Sequence, residues 1–159
     1  MTTSMPGPRV DESSVHACAV AIGERGALIR GVSGAGKSAL CLAMIALARR
    51  AGEFGALVGD DRVFLGVASG RLVARGVPGF EGVIENRGEG LLAETHEPRV
   101  IVRLIVDLGE RGHAPARWPE DDDLHAELLG VRLPKLALDS ARGPPDGAFA
   151  VLRRLAKLP

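Results

Sequence analysis

Gly31, Val32, Ser33, Gly34, Ala35, Gly36, Lys37 and Ser38 spell G-x-x-x-x-G-K-[ST], the pattern of a phosphate-binding loop. Its glycines let consecutive backbone N–H groups converge on phosphate oxygens, and a helix starting at the loop's end adds free donors and a favourable dipole. Lys37 is the residue type that reaches β- and γ-phosphates, and the Ser38 hydroxyl is a Mg²⁺ ligand. The implied ligand is a nucleoside triphosphate, with ATP and Mg²⁺ as the expected pair. A second chemical candidate is Asp60-Asp61, placed after the loop where an acid belongs. A carboxylate there can hold Mg²⁺, directly or through water, or accept a proton from an attacking hydroxyl, and adjacent acids allow both roles. A plain polar turn would also read Asp60-Asp61-Arg62. Glu85 and Arg87 lie between glycines and offer a carboxylate to metal and a guanidinium to phosphate, although a solvated loop carries such residues too. His16 is a lone histidine in an apolar run, a pattern that core histidines share.

These residues need elements to hold them. Ala27 to Arg30 reads as a strand entering the loop, and Ala39 to Ala48 as the helix leaving it, to about Arg50 with an end near Gly52. Val15 to Ile22 reads as one buried strand. The turn Gly23-Glu-Arg-Gly26 joins it antiparallel to the strand before the loop, which excludes a wholly parallel, doubly wound sheet. Gly55 to Gly59 is a short strand ending at the acids, and 62–67 with 71–75 form a hairpin. A glycine-rich stretch spans 76–90. Arg99 to Leu108 is the clearest strand and is followed by a polar surface loop to Asp123. Leu128 to Leu133 and Lys135 to Leu138 read as strands around Pro134, and Ala148 to Leu158 as an amphipathic helix. The expected fold class is α/β, a mixed sheet with flanking helices. Residues 1–12 are expected to be a disordered tail, and 13–159 a single phosphate-loop domain.

Bulk properties narrow the partners. Twenty basic and twenty acidic residues cancel, so no broad field favours nucleic acid or an anionic membrane. With one Trp, four Phe and no Tyr, a base-stacking surface is not expected. Cys18 and Cys41 lack metal spacing and read as buried structural thiols, in keeping with a reducing cytoplasm. No run is long enough to span a membrane.

In combination these segments resemble a known family. His16, the glycine loop, Leu57-Val-Gly-Asp60-Asp61-Arg-Val63, Ile84-Glu-Asn-Arg-Gly-Glu-Gly90 and Leu129-Gly-Val-Arg-Leu-Pro134 follow the order seen in HPr kinase/phosphorylase. The resemblance covers about residues 15–138 and is to the short form that consists of the catalytic domain. It implies a fold related to phosphoenolpyruvate carboxykinase, usually assembled as a hexamer. It also implies a bifunctional enzyme that phosphorylates a serine of HPr, or of a nitrogen-system paralogue, with ATP and reverses the step by phosphorolysis. By the resemblance, His16 positions or polarises the acid, Lys37 binds phosphate, Ser38 and Glu85 hold Mg²⁺, and Asp60-Asp61 are the paired acids with Asp61 the favoured proton acceptor. A family arginine falls in the loop after the long strand, at Arg117 or alternatively Arg111. The chain departs from the family at Ala39, where Glu is usual, at Asn86, and over 139–146, where Arg142 is the candidate replacement for missing arginines. Two other readings stand beside this one: an ATP-binding sensor without transfer, and a small-molecule phosphate-loop kinase.

Overall fold

The apolar run before the phosphate loop is two strands rather than one. In the computed structural model, which describes residues 12–109, 112 and 114–159, β1 (Ser13–Val15) ends before His16, and β2 (Cys18–Ile22) begins after Ala17. The break arises because the two strands pair on different parts of the sheet: β1 lies beside the strand Val63–Ala68 and β2 beside the strand Arg25–Arg30. His16 therefore sits at the crossing and not inside a strand. Residues 1–11 of the expected tail lie outside the described residues, and Glu12 ion-pairs with Arg75 at 2.7 Å.

Gly23, at φ 60, turns β2 into β3 (Arg25–Arg30) in the expected antiparallel pairing. After the loop, α1 (Lys37–Arg50) ends where Gly52 takes φ 79 and donates its N–H to the Arg49 carbonyl. The strand β4 (Gly55–Gly59) returns antiparallel along the other edge of β2. The hairpin of β5 (Val63–Ala68) and β6 (Arg71–Gly76) closes on Ser69 and Gly70, both at positive φ, the geometry that suits a tight two-residue turn. The glycine-rich stretch holds a strand that sequence alone did not reveal. It is β7 (Val83–Asn86), which pairs with β8 (Gly90–Ala93) as a separate two-stranded hairpin.

The long strand β9 (Arg99–Gly109) organises the rest. It runs parallel to β3 on one side; on the other it pairs antiparallel with β6 near its start and parallel with the strand Val131–Asp139 near its end. Its pairing with β3 slips from Gly26↔Val102 to Ala27↔Leu104, leaving Arg103 as an extra residue. That bulge moves the inward side chains to the opposite face, so Val102 joins one core and Leu104 the other. β10 (His125–Leu128) and β11 (Val131–Asp139) are joined at Leu129 and Gly130, at φ 50 and 78, so the segment expected to be a strand contains the turn. Pro134 lies where β11 exchanges β10 for β9 as partner, a place where its missing N–H interrupts no continuous ladder. α2 (Pro144–Ala156) starts four residues before the expected Ala148, because Pro144 and Pro145 occupy first-turn positions that need no N–H donor.

The main path of the sheet is β1-β5-β6-β9-β3-β2-β4, with β11 and β10 attached at β9. Both helices cover one face. Met44, Ile45, Val151 and Leu155 pack there on Val20, Ile29 and Leu104, each such burial contributing about 1.5–3 kcal/mol. The sheet curls over its other face, enclosing Leu28, Val58, Leu65 and Leu72. The curl brings β4 against β6, where a Cβ on Gly76 would lie 2.4 Å from the Val58 carbonyl oxygen. Gly76→Ala is therefore expected to destabilise the fold by about 1–3 kcal/mol, seen as a lower urea midpoint.

Candidate functional site

The phosphate loop hangs between β3 and α1, and its glycines are used for two different purposes. Gly34 and Gly36 adopt φ 83 and 99, which side chains disfavour. Gly31 instead makes room, since a Cβ there would stand 2.6 Å from the Leu108 carbonyl oxygen on β9. Arg30 and Asp107 clamp the strand ends beside the loop with two hydrogen bonds, at 2.7 and 2.9 Å. Lys37, at 6% exposure, turns back along the loop and donates from Nζ to the carbonyls of Gly31 at 2.9 Å and Val32 at 3.1 Å. Its ammonium is thus satisfied and already held over the phosphate-binding turn.

The two acids at the end of β4 have different environments. Asp60 is fully engaged. Its Oδ1 accepts from Ser38 Oγ at 2.6 Å and from Cys18 Sγ at 3.3 Å, and its Oδ2 accepts from the Glu85 N–H at 2.9 Å. It therefore ties the first turn of α1 to β2 and to β7. Asp61 lies in the left-handed region at φ 64, and the Arg62 N–H closes a three-residue turn on the Asp60 carbonyl at 2.7 Å. A non-glycine residue held this way costs about 1–3 kcal/mol and marks a functional site when the surroundings enforce it. The turn aims the Asp61 carboxylate outward, with its side chain 74% exposed, where Oδ1 meets His16 Nε2 at 2.6 Å. His16 is half-exposed and paired to an acid, so the core reading of this histidine does not hold.

The β7–β8 hairpin completes the wall. A cavity of about 370 Å³ is lined by the loop, Lys37, Ser38, both acids, Glu85 and Arg87. A second groove of about 300 Å³ shares Asp60, Asp61 and Glu85, and is walled by Val77, Phe80, Val83 and Leu91. Phe80 and Leu91 are 70% and 72% exposed. Asp61 thus stands between a polar chamber and a surface groove with an apolar wall. Among the described residues, no three acid, histidine or cysteine side chains converge as a metal cage. Mg²⁺ bound with a nucleotide uses one or two carboxylates beside phosphates, and the Ser38 hydroxyl with the Asp60 and Glu85 carboxylates is a donor set of that kind.

The structure thus brings His16, the loop, Lys37, Ser38, Asp60, Asp61 and Glu85 together. Arg117 sits in the exposed segment after β9, apart from the cavity lining, and Arg111 lies outside the described residues. The arginine lining the cavity is Arg87. Arg142 pairs with Asp146 at the start of α2. Sequence reading missed the polar role of Cys18, which donates to Asp60 and accepts the Asp61 N–H at 3.3 Å. Cys41 behaves as the buried thiol expected: its hydrogen bond with Cys18, together with burial, pushes its pKa well above the ordinary thiol range.

A glycine loop before α1, a paired-acid turn after β4 and a curled mixed sheet define a phosphate-loop domain of the α/β class, with both helices on one face. No protein-family model matches the chain. It is 35% identical over 102 residues to HPr kinase/phosphorylase of Mycoplasma mycoides, a match covering 60% of this chain and 31% of that protein. The chain thus matches about a third of the length of this curated relative. The solved structure of the Hpr(Ser) kinase/phosphatase from Coxiella burnetii superposes with a TM-score of 0.69 at 25% identity, covering 91% of this chain and 97% of that one. By sequence and by fold, the chain is similar to the HPr kinase/phosphorylases. No helix among the described residues is long and apolar enough to cross a membrane.

Proposed function

We propose that this chain, over 13–159, is a single catalytic domain that transfers the γ-phosphoryl group of ATP to a serine of the phosphocarrier protein HPr, or of a nitrogen-system paralogue of it. The observation carrying this reading is the placement of Asp61, paired with His16, where the phosphate chamber meets the apolar groove. The chamber suits the triphosphate, and the groove suits the acceptor's serine-bearing segment. The loop N–H groups and Lys37 hold β- and γ-phosphates, and Arg87 offsets charge on the transferred group from the opposite wall. Arg117, the arginine favoured by the family resemblance with Arg111 as its alternative, lies in the exposed segment after β9. Ser38 would hold Mg²⁺ with Asp60 or Glu85; the ion supplies charge neutralisation between the phosphates. Asp61 takes the serine proton as oxygen attacks phosphorus, and His16 orients the carboxylate.

The reading includes a cytoplasmic location and a homo-oligomeric, hexameric assembly as in the family. The reverse reaction, attack of inorganic phosphate on phosphoserine, uses Asp61 as the proton donor. The altered segment at 139–146 and the engagement of Arg142 with Asp146 make this half the more demanding one.

The test is incubation with Mg²⁺, γ-labelled ATP and HPr from the same cell, with serine-to-alanine HPr as control. Serine-dependent labelling supports the kinase. ATP binding without transfer to HPr replaces it with the sensor reading, and turnover of a metabolite with the small-molecule kinase. Added inorganic phosphate, releasing label from phospho-HPr, checks the reverse reaction. Ser38→Ala is expected to raise the Mg²⁺ concentration for half-maximal transfer by about tenfold or more, measured by titrating Mg²⁺ at fixed ATP.

A further inference from the structure

Cys18 is wholly buried, yet its sulfur occupies the one place that touches both acids. The thiol donates to Asp60 Oδ1 at 3.3 Å and accepts the Asp61 backbone N–H at the same distance. A sulfur in this place does two things. It shares Asp60 Oδ1 with Ser38, limiting how that carboxylate can turn, and it anchors the amide of a residue held at φ 64. Without a partner for that N–H, the turn that aims Asp61 at His16 loses one of its bonds from β2. The position follows from strand geometry: Cys18 opens β2, fixed on one side by β3 and on the other by β4, whose end carries the acids. Cys41 on α1 is hydrogen-bonded to Cys18 as well.

We infer that Cys18 is a positioning residue for the acid pair, using its thiol as donor to Asp60 and acceptor from Asp61 so that the outward Asp61 carboxylate is held in register with the phosphate chamber. This inference deepens the kinase reading and rests on it for its rate effect, but the anchoring of Asp61 can be measured independently. Valine and threonine have nearly the same shape, and only threonine carries a hydroxyl that can donate and accept as the thiol does. The comparison of Cys18→Val with Cys18→Thr therefore separates the polar function from packing.

Two readouts are needed. Misplacing a reacting group by about an ångström costs up to about a hundredfold in rate, so Cys18→Val is expected to lower kcat for transfer to HPr by about tenfold to a hundredfold with the KM for ATP unchanged. Cys18→Thr restores most of the loss. Hydrogen exchange of the Asp61 amide, followed by NMR without any substrate, is expected to be slow in the wild type and in Cys18→Thr and fast in Cys18→Val. If the wild type transfers nothing to HPr but the exchange pattern holds, the kinase reading fails and the anchoring stands. If Cys18→Thr is as impaired as Cys18→Val, or if the Asp61 amide exchanges equally in all three, the inference is overturned. Cys18→Ala, which adds no bulk, replaces Cys18→Val should the larger side chain not fold, and is expected to give the same loss of protection.

Discussion

On the kinase reading proposed above, Asp61→Asn is expected to lower the rate of transfer to the acceptor serine by about 10³-fold while leaving nucleotide affinity nearly unchanged. Asparagine is close to isosteric and tolerates the left-handed backbone at φ 64, so the turn closed by Arg62 and the bond to Cys18 survive. What disappears is a carboxylate able to take the serine proton and to pair with His16 at 2.6 Å. Single-turnover transfer and equilibrium binding of a fluorescent ATP analogue separate the two effects. Transfer at the wild-type rate would remove Asp61 from the role of base. Asp60→Asn is expected to behave differently, because Asp60 is held by Ser38, Cys18 and the Glu85 amide. Its loss falls on Mg²⁺ dependence and on the joint between α1, β2 and β7.

Lys37→Ala is expected to weaken both the nucleotide binding and the transfer proposed above. Affinity for MgATP is expected to fall at least about tenfold and transfer by about 10²–10³-fold, on the scale of deleting one preorganised charge-stabilising donor. The ammonium already lies along the loop, bonded to Gly31 and Val32, so little rearrangement separates the free from the phosphate-bound position. The same geometry predicts that Lys37→Arg fails to rescue, since a planar guanidinium does not fit a point-charge site held at 6% exposure. Circular dichroism serves as the control for folding. A Lys37→Ala protein that binds MgATP as the wild type does would move the nucleotide away from this loop.

The local features of this chain were determined by its sequence alone. The glycine loop, the span of α1, the turn at Gly23 and the long β9 are each set by neighbours within a few residues: a left-handed glycine, a capping position, a continuous apolar run. The order of the acid and glycine segments along the chain was enough to indicate the family. What the residues did there was decided only by tertiary structure, because every such assignment depends on contacts between distant positions. His16 and Asp61 are 45 residues apart, and Cys18 and Asp60 are 42 apart. Whether His16 belonged to a core or a site depended on where β1 and β2 find their separate partners. The division of labour between adjacent acids depended on which one Ser38, Cys18 and Glu85 enclose. The arginine facing the chamber depended on a hairpin, β7–β8, whose glycine-rich sequence shows too little apolar alternation to announce a strand, and which is held by what it packs against.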